Sequence, residues 1–443
     1  MKSYASRYIT PEKAASMVKS GDWVDYGYCL GHPYSIDKAL AARAEELHDV
    51  SIRGGTAFRP LEVVECDPLN RHFTFYSWHQ SEYDRSVADR GMGCYIPSFF
   101  RAMAQVYRKY LHVDIAFISV TPMDKDGYFN FSLTNAANHA IIDTAKIVVL
   151  ETNSRLPPIG GHENAVHISQ VDFVVEGESP PPPIVNSVPP TETDIQIARH
   201  IIGELTDGSV IQLGIGALPS AIGRMIAESD LKDIGGHTEF LVDSYRLMAQ
   251  AGKLNNRRKN IHTGKTVFTF AAGGKEFYDW AWDNPTLTAL PVEYVNDPHV
   301  IAQNEHMVSI NSCINVDILG QVASESVGAR QISGTGGQLD FALGACLCPT
   351  GKSFLCCHST YRDKKTGELS SRIVPTFSPH TVVTTPRCTA HHIVTEWGIA
   401  RIGGQSLWER TERIISVAHP MFREELFRIA EKNNIWRRTN RKF

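Results

Sequence analysis

What this chain has little of narrows its class first. No apolar run approaches the ~18 residues that a membrane-crossing helix needs, so no spanning segment is expected. The N-terminus, MKSYASRYITPEKAAS, lacks the apolar core of a signal peptide. It reads as a cap and a first helix, with Pro11 at the first helical position and Glu12 in the first turn, and a cytoplasmic address is expected. Net charge is scarce too: 44 Lys and Arg against 48 Asp and Glu leave −4 over 443 residues. That balance gives no support to nucleic-acid or anionic-membrane binding. The nine cysteines form no even framework. Cys346/Cys348 and Cys356/Cys357 lie in the apolar runs FALGACLC and SFLCC, and they are expected to be reduced and packed as small hydrophobes. A zinc site would want CxxC pairs or spaced histidines. The eighteen histidines are scattered, so no metal site is expected.

What is present fits a globular α/β protein. Hydrophobic residues are 42% and charged residues 21% of the chain, the balance of a soluble protein, and the length suits two or three domains. In the first part, helical and strand patterns alternate. Residues 11–20 and 35–47 read as helices. Residues 22–28, 50–53, 72–76, 113–120, 146–151 and 171–176 read as strands, and VDIAFISV (113–120) is an apolar run suited to a buried parallel strand. Alternation at this spacing predicts a parallel sheet. ESPPPPIVNSVPP (178–190) continues neither helix nor inner strand and reads as a linker. It divides the chain into an N-terminal α/β domain (1–180) and a C-terminal α/β domain (191–443).

The second half begins as the first did. SGDWVDYGYCLGHPYSIDKAL and DGSVIQLGIGALPSAIGRMI both run from a Gly-containing turn through a strand, a glycine and a short loop to a proline and a helix. This predicts a duplication into two related open α/β domains. Beyond it, residues 194–206, 406–417 and 421–432 read as helices. Residues 266–270, 291–294, 307–310 and 316–319 read as strands. The closing WRRTNRK (436–442) reads as a solvated basic end.

Three segments carry chemistry. In Gly214–Pro219 (GIGALP), a strand runs into two glycines and a helix start, where exposed backbone N–H groups suit anionic or carbonyl oxygens. Pro219 stands where a dinucleotide fingerprint would have its third glycine. Ser333–Phe341 (SGTGGQLDF) places Gly334, Gly336 and Gly337 before an apolar helix, room for a ligand or for an oxyanion donor. In DIGGHTEFLVDSY (233–245), Glu239 lies among small and apolar residues. A glutamate in such company is either a paired structural acid or a reactive one.

GGHTEFLVDSY, GSVIQLGIGALP, QISGTGGQLDF and TEWGIARIGGQSLWERTERIISVAHPMFREEL resemble the acetyl-CoA hydrolase/transferase family, a branch of the class I CoA-transferases. SGDWVDYG, IRGG, PMDKDGYFNF, HISQVD, ASESVGARQ and NIWRRTNR extend the likeness over nearly the whole chain. The resemblance implies two open α/β domains with the active site between them. It implies ping-pong transfer of CoA between a short-chain acyl-CoA (butyryl-, acetyl- or 4-hydroxybutyryl-CoA) and a free carboxylic acid, through a glutamyl-CoA thioester on the glutamate of the H-T-E motif, Glu239. The family's CoA contacts fall on Gly214, Ile215, Gly216, Ala217 and Leu218, and further on Ile314, Gly337 and Lys364. By residue type alone, Lys364 is a solvated lysine in a charged turn. Many relatives read G-I-G-G where this chain has Ala217, so a positive φ at that position would carry a penalty. CoA enters as substrate, with no tightly bound cofactor, and a homo-oligomer (dimer or tetramer) is expected.

Two alternatives use the same site: a thioesterase, and a transferase for dicarboxylates such as succinate or itaconate. The second would need another cation, for which His32, Tyr34, Arg330 and Arg387 are the polar candidates. A non-catalytic nucleotide-binding module would leave the H-T-E motif without a purpose.

Overall fold

The computed structural model of the chain describes residues 4–186 and 188–438. Residues 439–442 of the basic tail lie outside them. The described chain forms two compact units. The first comprises residues 1–186, 239–241 and 267–295, and the second comprises 187–238, 242–266 and 296–443. The first unit therefore ends inside the Pro-rich stretch but takes back two later segments. One of these carries Glu239, which therefore belongs to the first unit although it lies in the C-terminal half of the sequence.

The first unit is built on an eight-stranded sheet. Its order is Tyr8–Ile9, Phe173–Glu176, Ala145–Thr152, Val113–Val120, Trp23–Asp25, Val50–Gly54, Phe73–Ser77 and Gly93–Tyr95, and every neighbouring pair is parallel. Val113–Val120 is buried at every position but Asp114, as its largely apolar sequence requires of a central parallel strand. Its core is formed by Val24, Ile52, Phe75, Ile115, Phe117 and Val149 with helix residues such as Ala14, Ile36 and Leu40.

The second unit carries a six-stranded sheet ordered Gly235–Gly236, Val210–Leu213, Met307–Ser312, Lys352–Cys356, His392–Thr395 and Gly398–Arg401. All its pairs are parallel except the last. The chain visits five of these strands in the same spatial sequence as Val50–Gly54, Trp23–Asp25, Val113–Val120, Ala145–Thr152 and Phe173–Glu176 of the first unit. The two units are related, as the repeated strand–glycine–helix grammar predicts.

The expected helices and strands form with shifted ends. The first helix is only Pro11–Ala15, capped by the Thr10 side chain on the Lys13 N–H. Residues 35–47 break into the helix Ser35–Ala41 and a 3-10 turn Ala44–Glu46. One expectation fails in kind: in place of a strand over 291–294, a short helix, Val292–Val295, follows Pro291. The Pro291 carbonyl accepts the N–H groups of Tyr294 and Val295, so a proline-started turn overrides the strand preference of the valines. The basic end is also misread in part. Trp436 is buried against Phe427, and Arg438 pairs with Glu424 at 2.5 Å and with Glu431 at 3.4 Å. Trp436 and Arg438 are thus held against the helix Pro420–Lys432.

Candidate active site

The strand Val210–Leu213 delivers the chain to Gly214 in the second unit. Tyr245, fully buried, holds that strand end: its hydroxyl accepts the Leu213 N–H at 3.0 Å and donates to the Ile211 carbonyl at 3.2 Å. Thr238, the residue before Glu239, donates to the Leu213 carbonyl at 3.4 Å. Ser244 donates to the Pro219 carbonyl at 3.0 Å, and a Cβ on Gly223 would stand 2.4 Å from the Ser244 side chain. The residues flanking Glu239–Leu241 thus brace the turn that begins at Gly214. Polar anchors of this kind leave no periodic signal in the sequence, where LVDSY is mostly apolar.

The turn itself is open. Gly216 has φ 112° and ψ −170°, a backbone conformation that is essentially glycine's alone. A Cβ at Gly214 or Gly216 would meet nothing within 4 Å, and Ile215 is half exposed. Ala217 begins the helix Ala217–Glu228 and has no positive φ. The alanine therefore carries no backbone penalty, and Gly216 supplies the unusual conformation. No side chain caps this helix at Gly216, Gly216 and Ile215 are exposed, and an uncapped helix start of this kind can receive anionic or carbonyl oxygens.

The related turn in the first unit is closed. There the buried Glu151 carboxylate accepts the N–H groups of Tyr34, Ser35 and Ile36, each at 2.9 Å, and so plugs the start of Ser35–Ala41. Sheet register shows why only one turn is filled. Gln212 pairs with Ser309 and Ser309 with Ser353, as Asp25 pairs with Ala116 and Ala116 with Val148. Three residues on, Cys356 occupies the place of Glu151, a small buried thiol in place of a carboxylate. Glu151→Ala would leave two buried donors and one partly buried donor unmet, at roughly 1–3 kcal/mol each. Urea unfolding is expected to lose at least ~3 kcal/mol, while Cys356→Ala stays within about 1.5 kcal/mol of the parent.

The second Gly-rich segment is held from one residue. The Glu325 carboxylate accepts the hydroxyls of Thr335 and Thr384, each at 3.0 Å, while its carbonyl accepts the N–H groups of Ile332 and Ser333. Gly336 takes φ 55°, and Gly337 caps the helix Gln338–Leu347. Ile314 is partly buried just beyond Met307–Ser312, the strand beside Val210–Leu213; its N–H is held by the Ala323 carbonyl. Lys364 is exposed on the turn of a separate hairpin, Thr360–Arg362 with Leu369–Ser371.

Glu239 is partly exposed. Its carbonyl accepts the N–H groups of Thr269 and Phe270, both at 3.2 Å, and the residues after it, Phe240–Leu241, pair in parallel with Phe270–Ala271. Phe240 stacks on Phe270 at 4.4 Å, and Phe270 meets the edges of Tyr28 and Phe100 at 5.0 and 5.7 Å. Burial, and second to it the charge of Glu239, push the Tyr28 phenol well above its usual value. The glutamate charge therefore acts on the Tyr28 phenol, while the next residue, Phe240, packs into a cluster of aromatic rings, all within the first unit.

Of the polar candidates for a second cation, His32 is buried and burial pushes it down to about 3. It is a neutral imidazole at physiological pH. Tyr34 lies between Lys38 and Arg59, whose charges sit 4.2 and 5.1 Å from its ring centre, and Arg59 is engaged with Asp37. Arg330 and Arg387 are exposed on the second unit. Among the described residues, no group of three or more His, Cys, Asp or Glu is arranged to hold a metal, and no helix is long and apolar enough to cross a membrane.

Residues 1–186 match the acetyl-CoA hydrolase/transferase N-terminal domain and residues 273–430 match its C-terminal domain. The chain belongs to the acetyl-CoA hydrolase/transferase family. It is 46% identical to the probable butyrate:acetyl-CoA coenzyme A-transferase of Syntrophomonas wolfei, covering 100% of this chain and 98% of that one. It is 44% identical to the butyryl-CoA:acetate CoA-transferase of Anaerostipes caccae, covering 99% of each. The crystal structure of RipA from Yersinia pestis, 34% identical, superposes with a TM-score of 0.87 over 98% of both chains.

Proposed function

We propose that this enzyme, an acyl-CoA:carboxylate CoA-transferase, carries CoA on Glu239 and exchanges it between short-chain monocarboxylates, butyrate and acetate first among them. The observation that carries the reading is the setting of Glu239: a partly exposed glutamate whose backbone carbonyl is held by Thr269 and Phe270, whose next residues pair with Phe270–Ala271, and whose charge reaches the buried Tyr28 phenol. The names of the relatives at 46% and 44% identity support the choice of acids.

The chemistry follows from the groups present. The Glu239 carboxylate attacks the thioester carbonyl, and the C–S bond breaks to give an acyl-glutamyl anhydride and CoA thiolate. The thiolate attacks the glutamyl carbonyl, releasing the first carboxylate and leaving Glu239 as a CoA thioester. An incoming carboxylate then repeats the two steps in reverse. Each tetrahedral intermediate carries an oxyanion that needs backbone donors, and one such donor is worth ~3 kcal/mol of barrier. The open N–H groups at Gly214–Leu218 and the Gly337 turn are the candidates for holding the CoA ester and those oxygens. Ile314 and Lys364 complete the proposed CoA contacts, with Lys364 offering a charge to the phosphate end. Electron pairs move only among sulfur, carbon and oxygen, so no redox group or metal is called for, and CoA serves as substrate. The same reading takes the protein as a cytoplasmic homo-oligomer, dimer or tetramer.

The neutral His32 and the exposure of Arg330 and Arg387 favour monocarboxylates over dicarboxylates, since a second carboxylate needs a desolvated cation to pair with. In a panel of acceptors, acetate and butyrate are expected to accept CoA. Succinate and itaconate should do so at least ~100-fold less efficiently, the loss of one charge-assisted contact of about 3 kcal/mol. His32 stays neutral well above its lowered value, so this preference should not change between pH 6 and pH 9. Preference for succinate would overturn the assignment of substrate. Rapid release of free CoA with no acceptor present would turn the reading to a hydrolase.

A further inference from the structure

The chain passes from the second unit to the first at Thr238–Glu239 and again at Thr266–Val267. The roots of both passages are held by one loop of the second unit. The buried Lys259 ammonium donates to the carbonyl of Gly236 at 2.8 Å and to that of Lys265 at 2.7 Å. The buried Asn256 side chain accepts the Gly236 N–H at 2.8 Å and donates to the Thr266 hydroxyl at 2.9 Å. Both backbone groups of Gly236, three residues before Glu239, are thus taken by side chains from this loop. A Cβ on Gly235 would come 2.7 Å from the Lys259 stem, so the glycine pair of GGHTE is what lets the lysine in.

A buried lysine held by carbonyls alone is an expensive way to fill space, because desolvation opposes its charge. Burial pushes Lys259 down to about 7. The uncharged amine keeps two N–H donors, one for each carbonyl it serves. The staple therefore survives loss of the proton.

We propose that Lys259, with Asn256, is a positioning residue for transfer: it fixes the entry of the chain into Glu239 and of its pairing partner, the segment after Thr266. This rests on the reading of Glu239 as the CoA carrier. On the far side of the passage, Glu239 is held by Thr269 and Phe270. The two sets of bonds clamp the carboxylate's backbone from both directions, and the clamp matters only while Glu239 must meet a thioester carbonyl at reacting distance.

The test is Lys259→Met, which keeps the stem and removes the donors, beside Thr266→Val, which removes only the acceptor of Asn256. Initial rates, KM for acyl-CoA, urea stability, and the single-turnover rate at which the Glu239 peptide gains CoA mass are measured together. Misplacement of a reacting group by about 1 Å costs up to ~100-fold. Lys259→Met is expected to lose roughly 10- to 100-fold in kcat with KM within about twofold and adduct formation slowed to match. Thr266→Val should show a smaller loss in the same direction. It carries the decision if Lys259→Met does not fold. Rates per folded molecule equal to the parent, with an adduct formed at the parental rate, overturn the inference alone. No adduct on Glu239 in the unsubstituted enzyme overturns the carrier reading and this inference with it.

Discussion

Glu239→Asp is expected to lower kcat by about 100-fold or more, because one methylene less withdraws the carboxylate by over ~1 Å from a thioester that the rest of the protein still binds. Glu239→Ala should fall to the background rate. The backbone at this position is fixed by bonds that do not involve the side chain: the Glu239 carbonyl on Thr269 and Phe270, and Phe240–Leu241 on Phe270–Ala271. The carboxylate is partly exposed, so neither substitution empties a sealed cavity, and urea midpoints should stay close to that of the parent. Steady-state rates against unfolding curves separate these effects. Full transfer activity in Glu239→Ala would count against the glutamate as the attacking group, whatever the fold.

Gly216→Ala is expected to raise KM for acyl-CoA by about 10- to 100-fold. A Cβ at Gly216 meets no atom within 4 Å, so no clash contributes. At φ 112° and ψ −170°, however, a non-glycine residue is strained by roughly 1–3 kcal/mol, and relaxation would turn the N–H groups of the open helix start away from their ligand. Ala217→Gly is the matching control. Ala217 already lies in the helix, so the change should leave KM within about twofold and soften the helix by ~1 kcal/mol at most. A KM unmoved by Gly216→Ala would remove this turn from the CoA site.

Much of this arrangement was legible in residue order. The strand–glycine–proline–helix grammar around Gly27 and around Gly214 foretold two related sheets, because a parallel strand feeding a helix leaves an unmistakable apolar run followed by a turn. The open glycines of GIGALP were visible for the same reason. What residue order could not carry was the assignment of Glu239–Leu241 and Val267–Val295 to the first unit. Their strands are two or three residues long, and Phe240–Leu241 pairs with Phe270–Ala271 across thirty positions, too short for any period to register. The plugging of one helix start by Glu151 was equally hidden. It depends on a carboxylate over a hundred residues away, and only sheet register reveals that Cys356 replaces it in the second unit. His32 read as a polar pocket residue. Its neutrality follows from burial, which a single sequence does not report.

The most direct measurement is the intact and peptide mass of the enzyme after incubation with butyryl-CoA and no acceptor acid. The account predicts one CoA added per chain, located on the peptide that contains Glu239, absent in Glu239→Ala and discharged when acetate is supplied. An adduct on a cysteine such as the half-buried Cys346, or turnover with no adduct on Glu239, would contradict it.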